Sequence, residues 1–514
     1  MTGALLLGLL LAVQEPATSY EALLAEGMAR AKEGRLDAAR EAFDRAIARD
    51  PARPEAWVER GGLAFLGRSY AEATQDLTRA LSLREDGYAR DLLAAALFLG
   101  GRPDDALAQW NRLDRPSLRA MSLGGLSRTR GSVVRREIVV VEGSTLRLDD
   151  LRETRLRLTE LGAFRRVTLR PVPLGEGKAD LEVALDERPP LGGGRLEVLA
   201  GLAVNLLYER VRLRYYNIAG AGITLGAQYR WETHRPQLVA GFGVPRPFGA
   251  PFHLSLEAFG GRQDYDLGDD PAALECRAGG GGLRVRAVLG PRTVLDTGAR
   301  VSDRTFSRPE PYAPPGRLVA LQAGLEHRLV DAWRHRLDAS VRLAGASEAW
   351  GSELGFARAE ARLEYRLFAS PPEGTTMEAS VVAAQLVAGW GSPGTPVDEM
   401  YAPGASPDML LPLRAHPQAN DGMLGETPLG RSLLLGNLEW RRRVFDGSLL
   451  QVGLVVFTDV AGVFGRPDGP PATLTDAGVG LRLAVKGGTV LRVDYGRGLN
   501  DDSRAVYIGF NQAF

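Results

Sequence analysis

Residues 491–514 read LRVDYGRGLNDDSRAVYIGFNQAF. Leu491, Val493 and Tyr495 fall on one side of an extended chain, Arg492 and Asp494 on the other. From Ala505 the alternation resumes: Val506, Ile508, Phe510 and Phe514 share one face, and Tyr507, Gly509, Asn511 and Ala513 the other. A period of two means strands. A ten-residue strand at the end of a chain leaves a bare sheet edge, which is an aggregation hazard in water. A sheet that closes on itself has no such edge. The tail therefore predicts a barrel whose last strand pairs with its first and whose terminal Phe514 sits near a membrane interface.

The chain upstream supports this reading from about residue 195. In RHRLDASVRLA, Leu337, Ala339, Val341 and Leu343 oppose Arg336, Asp338, Ser340 and Arg342. In ARAEARLEYRL, Ala357, Ala359, Ala361, Leu363, Tyr365 and Leu367 oppose Arg358, Glu360, Arg362, Glu364 and Arg366. In ERVRLRYY, Val211, Leu213 and Tyr215 oppose Arg210, Arg212 and Arg214. One apolar and one charged face on strands of this length is the pattern of a lipid-facing wall around a polar lumen. Sixteen antiparallel strands are expected, the first at 196–203 and the last at 505–514.

With 63 basic and 63 acidic residues the net charge is zero, and a nucleic-acid partner would call for a basic excess. The one cysteine, Cys276, has no partner for an internal disulfide and reads as a small apolar filler. Ala4–Val13 is a short apolar run followed by polar residues, the layout of a signal peptide over residues 1–18. No Gly-x-Ser-x-Gly, phosphate-binding glycine loop, His-Glu-x-x-His or paired-cysteine motif occurs, so neither an enzyme nor a cofactor or metal site is expected. His416 is read as an ordinary histidine, not a ligand.

Residues 20–113 repeat. Gly27, Ala39, Phe43 and Ala46, followed by Pro51, recur as Gly61, Ala73, Leu77 and Ala80, with Trp57 before the second glycine; 61 − 27 gives a period of 34. A third copy carries Ala106, Trp110 and Leu113. The period and its alternation of small and large positions resemble the tetratricopeptide repeat, a helical solenoid that presents a concave surface to a partner. Residues 114–134 lose the pattern and read as a linker holding an irregular first strand of the next domain. In 135–190 comes a helix with Leu151, Leu158 and Leu161 on one face, then Gly162-Ala163-Phe164, two alternating strands and Glu187-Arg188-Pro189. That order resembles the end of a POTRA domain, the periplasmic module that precedes barrels of the BamA/TamA superfamily.

The long connection at 391–432 carries seven prolines and no periodicity. Connections of this length are usually functional. Its position matches the lumenal sixth loop of that superfamily, whose motif is Val/Leu-Arg-Gly-Phe/Tyr; here Leu413-Arg414-Ala415-His416 stands, which keeps the arginine but not the glycine or the aromatic. The resemblance, over about 195–514, implies that Arg414 latches the loop through acids on the following strands, Glu439 and Asp459. It also implies a weak seam at the last strand, around Gly509, Phe510 and Phe514. The function so implied is outer-membrane protein assembly or translocation, with periplasmic domains collecting client proteins. A dedicated secretion transporter of the two-partner type is the near alternative, although such transporters usually carry two POTRA domains. A passive outer-membrane channel or a barrel-anchored repeat scaffold is the alternative of another class.

Overall fold

The computed structural model describes residues 19–267, 273–308, 310–370, 377–406, 410–485 and 488–514; the expected signal peptide, 1–18, lies outside them. The chain forms two compact units, one of residues 1–119, 143–148 and 173–179, the other of 120–142, 149–172 and 180–514.

The first unit is mainly six helices in three hairpins: α1 (Tyr20–Lys32) with α2 (Leu36–Arg49), α3 (Glu55–Leu66) with α4 (Tyr70–Leu83), and α5 (Gly87–Leu99) with α6 (Pro103–Asn111). The small residues explain the close approach. A Cβ on Gly27 would lie 2.4 Å from the Phe43 ring, and one on Gly61 2.9 Å from Leu77. Ala39, Phe43, Ala46, Ala73, Leu77 and Ala80 are buried, and Trp57 packs on the core made by Ala46 and Ala56. Trp110 of the third copy rests on Phe98. The 34-residue spacing thus places equivalent side chains at equivalent hairpin seams.

A three-stranded sheet follows, in the order β1 (Ser117–Gly124), β3 (Lys178–Glu187), β2 (Phe164–Gly175), with α7 (Gly131–Arg135) and α8 (Leu148–Glu160) between β1 and β2 in sequence. The strand β1 lies in the stretch read as a linker. Leu151, Leu158 and Leu161 are buried, as are Leu181, Val183 and Leu185. Gly162 stops the helix with φ +65°. Glu187 closes the module: its carboxylate accepts from Ser127 Oγ at 2.6 Å, from Arg128 N–H at 3.0 Å and from Thr129 N–H at 2.7 Å.

The second unit is dominated by the large antiparallel sheet. After α9 (Arg195–Leu207) its wall strands are β4 (Arg210–Ile218), β5 (Ile223–Arg230), β6 (Gln237–Pro245), β7 (His253–Tyr265), β8 (Leu274–Gly290), β9 (Thr293–Phe306) and β10 (Gly316–Asp331). Then come β11 (His335–Ala346), β12 (Phe356–Phe368) and β13 (Ser380–Gly391). Two-residue strands β14 (Ala419–Asn420) and β15 (Met423–Leu424) lie in the long loop, and β13 pairs directly with β16 (Ser432–Asp446). The wall ends with β17 (Leu450–Phe464), β18 (Ala472–Val485), β19 (Val490–Gly498) and β20 (Arg504–Phe510).

Register keeps the two faces apart. Val341 opposes Ala361 and Leu343 opposes Ala359, while Arg342 opposes Glu360 and Asp338 opposes Glu364. Leu225, Leu238, Leu343, Leu363, Leu438 and Leu454 are exposed on the outer face, whereas Asn437, Glu439, Asp459, Asp476 and Asp494 are buried on the inner one.

Three expectations are corrected. Residues 196–203 are helical: LEVLAGLAVNLL fits a period of two over its first residues, but Leu196, Leu199, Leu202 and Leu206 also recur at three and four. Leucine and alanine favour helix, and Glu197 caps it by accepting from the Gly194 N–H at 2.7 Å. The wall therefore has fifteen long strands, not sixteen, among the described residues. Fourteen antiparallel steps lead from β4 to β20, so both run in the same direction. The order curls round to bring β20 beside β4, but the sheet is not sewn shut: among the described residues no register joins them. Finally, the last strand stops at Phe510. Asn511 takes φ +64°, and the tail leaves the strand to pack Phe514 on Phe368, Val381 and Ala383.

Replacing Gly27 with valine forces two or three carbons into the Phe43 ring. Overpacking of this kind costs about 1–3 kcal/mol. The helical circular-dichroism signal is expected to melt earlier, while the heat-modifiable gel migration of the barrel is unchanged. For Glu187, burial alone would raise the carboxyl, but hydrogen bonds from Ser127, Thr129 and Arg128 outweigh it and lower its pKa to about 2. A depressed carboxylate stabilises above its unfolded value of about 4.3. That stability should fade as pH falls from there toward 2, and Glu187→Gln should flatten the dependence in acid-unfolding curves.

Candidate functional site

The long loop enters the barrel and is held at its tip. Arg414 is fully buried. Its Nε donates to Asp459 Oδ2 at 2.8 Å, its Nη2 to Asp459 Oδ1 at 2.6 Å, and its Nη1 to Glu439 Oε1. The Arg414 backbone N–H also reaches Asp459 Oδ2, at 3.1 Å. Its guanidinium lies 3.5 Å from the centroid of the Phe457 ring. Two carboxylates, a fork-shaped cation and an aromatic face satisfy a charge that no water reaches. The three residues expected to form the latch are thus brought together by β16 and β17, which present Glu439 and Asp459 on the same inner face.

Neighbouring residues extend the hold. Asn437 Nδ2 donates to the Pro412 carbonyl at 2.7 Å and to Asp459 Oδ1 at 2.8 Å. The Ala415 N–H donates to Asp476 Oδ2 at 2.6 Å. His416 sits between carboxylates, Nδ1 2.9 Å from Asp476 Oδ1 and Nε2 2.9 Å from Asp501 Oδ2. Opposite the loop, Gly496 has no side chain for a reason: a Cβ there would lie 2.5 Å from the Arg414 carbonyl carbon and oxygen. The aromatic and glycine of the resembled motif are replaced by His416 and Ala415, and Ala415 is fully buried.

Sequence reasoning missed the first half of the loop. Arg304 Nη1 contacts both oxygens of Asp398 at 2.8 Å, and Arg300 pairs with Glu399. Tyr401 donates to the Ala359 carbonyl at 2.9 Å, and its ring fills the space left by Gly389. Asp398 and Glu399 were visible as the only adjacent acids between β13 and Arg414, but nothing in the sequence aligned them with β9. Of the expected seam residues, Gly509 lies under the Arg492 guanidinium, 3.1 Å from a built Cβ, and Phe514 accepts from Arg441 Nη2 at 2.7 Å through its carbonyl. These two are tied to the lumen network, and Phe510 pairs with Leu491. No cluster of three or more possible metal-binding side chains occurs among the described residues.

The turns at one barrel end meet the small module. Glu137 pairs with Arg246 at 2.6 Å, Glu160 with Arg286 at 2.6 Å and Arg152 with Asp331 at 3.4 Å. Asn217 Nδ2 donates to Thr129 Oγ1 at 2.8 Å.

No family model and no curated protein sequence matches this chain. Several solved structures are similar to it. CdiB from Escherichia coli aligns with TM-score 0.53 at 13% identity, over 77% of this chain and 76% of that one. CdiB from Acinetobacter baumannii gives 0.48 at 14%, over 77% and 73%. BamA from Haemophilus ducreyi lacking POTRA domains 1–3 gives 0.46 at 14%, over 77% and 84%. The first of these likenesses establishes a shared fold.

Arg414→Ala removes one partner of a buried ion cluster, a change that typically costs about 3–5 kcal/mol. The loop at 391–432 should become cleavable by protease and single-channel conductance in a planar bilayer should rise, with the barrel retained. Gly496→Val should do the same by displacing Arg414 sterically. Protection and conductance unchanged in both variants would refute the latch.

Proposed function

We propose that this chain is an outer-membrane barrel of the BamA/TamA type that inserts or translocates other proteins and is not an enzyme. The observation that carries this reading is the loop tip anchored by Arg414, Glu439 and Asp459 inside a wall whose end strands share no ladder. A buried ionic anchor on a loop folded against the inner face favours this reading over a passive channel. A bare apolar exterior with charges turned inward suits a membrane wall. The α7–α8 module with its β1-β3-β2 sheet serves as a POTRA-like periplasmic domain, and α1–α6 as tetratricopeptide repeats that gather a client or a periplasmic partner. In this reading the lumen residues need no cofactor, and the work comes from client folding.

Depletion of the chain, followed by measurement of outer-membrane and secreted protein abundance, tests the proposal. Loss of many unrelated barrels is expected for a general assembly factor. Loss of one exported protein would identify the dedicated transporter. If neither changes, the channel or scaffold alternative takes its place, and a variant lacking residues 20–113 separates those two.

A further inference from the structure

The helix α9 has its polarity inverted. Its exposed side is Leu196, Leu199, Ala200, Leu202, Ala203, Leu206 and Leu207, with Leu196 79% and Leu199 62% accessible. A helix facing water places its charges there. Apart from Arg195 at its first position, which is exposed, the polar groups of the helix lie on the covered side. Glu197 Oε1 accepts from the Thr489 N–H at 2.8 Å, and its Oε2 from Arg165 Nη2 at 3.0 Å. Asn205 Oδ1 accepts from Arg210 Nε at 2.9 Å.

The helix is fixed at both ends beside the open edge of the sheet. Glu197 holds its start to the turn between β18 and β19. At its end the Tyr208 hydroxyl donates to the Ile508 carbonyl at 3.0 Å and accepts from the Ile508 N–H at 3.1 Å, while its ring stacks on Tyr507 at 5.1 Å. Both backbone groups of Ile508 therefore point away from β19 and are satisfied by a side chain. An unpaired strand edge in hydrocarbon leaves its N–H and C=O groups with no water to bond, which is strongly unfavourable.

We propose that α9 is a lipid-facing element of the barrel wall, lying along the edge of β20 with its leucine face in acyl chains and Tyr208 supplying bonds a sixteenth strand would make. Its apolar face continues that of its neighbours, Leu213 and Tyr215 on β4 and Val506 on β20, all exposed. Thirteen residues span about 20 Å against a hydrocarbon core of about 30 Å, so the helix covers part of the seam and does not cross the bilayer. The inference rests on the membrane reading above.

The test uses the full chain, with Cys276→Ala, in phosphatidylcholine–phosphatidylglycerol vesicles. Spin labels are placed at Leu199→Cys, Leu202→Cys, the wall control Leu438→Cys and the turn control Ser503→Cys, and collisions with oxygen and with a nickel chelate are compared. Oxygen should dominate at 199, 202 and 438, and the chelate at 503. If 438 meets oxygen while 199 and 202 meet the chelate, α9 faces water and the inference fails alone. Labels at 199 and 202 closed to both reagents would mean protein covers them, which also overturns it. Chelate access at 438 as well would overturn the membrane reading itself. Independently, Tyr208→Phe should speed amide exchange at Ile508 roughly tenfold, the loss of one hydrogen-bonding partner; unchanged exchange would refute the role given to Tyr208.

Discussion

A guanidinium buried beyond the reach of water must find its countercharges or the fold around it fails, and Arg414 sets that condition for the whole lumen. Its demand fixes Asp459 on β17 and Glu439 on β16. The adjoining loop residues then recruit Asp476 on β18 and Asp501 before β20. A single loop tip thus binds β16, β17, β18 and the turn that follows β19. The charges that looked interchangeable along the strands acquire distinct tasks through this one requirement.

How much of this was legible depended on whether a period had a rival. For β11 and β12 it had none: a polar residue, nearly always charged, at every second position excludes a helix with an apolar stripe, and the register keeps those faces apart. The 34-residue repeat was equally plain, because Gly27 and Gly61 are needed where Phe43 and Leu77 press closest. Residues 195–207 had a rival. Leu196, Val198 and Ala200 alternate, but the full segment satisfies helical spacing too, and only the neighbouring edge of β20 decides which face can be apolar.

The site was legible in its central triad and illegible at its margins. Arg414 stood out through its resemblance to a family motif, and Glu439 and Asp459 through their position on the next two strands. Gly496 looked like one glycine among 62, and its need appears only when the loop backbone is laid against it. The last strand was carried too far, to Phe514, because alternation says nothing of a left-handed residue; Asn511 breaks the strand and redirects the tail. His416 looked ordinary as a letter in the chain, and its place between Asp476 and Asp501 emerges only in three dimensions.

The bond between Tyr208 and Ile508 joins residues 300 positions apart. Contacts of such sequence separation form late, because the entropy of closing the intervening chain is lost before they give anything back. The wall strands β4 to β19 each have a partner next door in the chain order or across one loop, and they can zip progressively. Glu197 must wait for Thr489, and Tyr208 longer still, until the last strand arrives. The seam is thereby the final event of biogenesis, and a chain truncated before Ile508 would leave α9 and the whole half-built sheet with nothing to close upon.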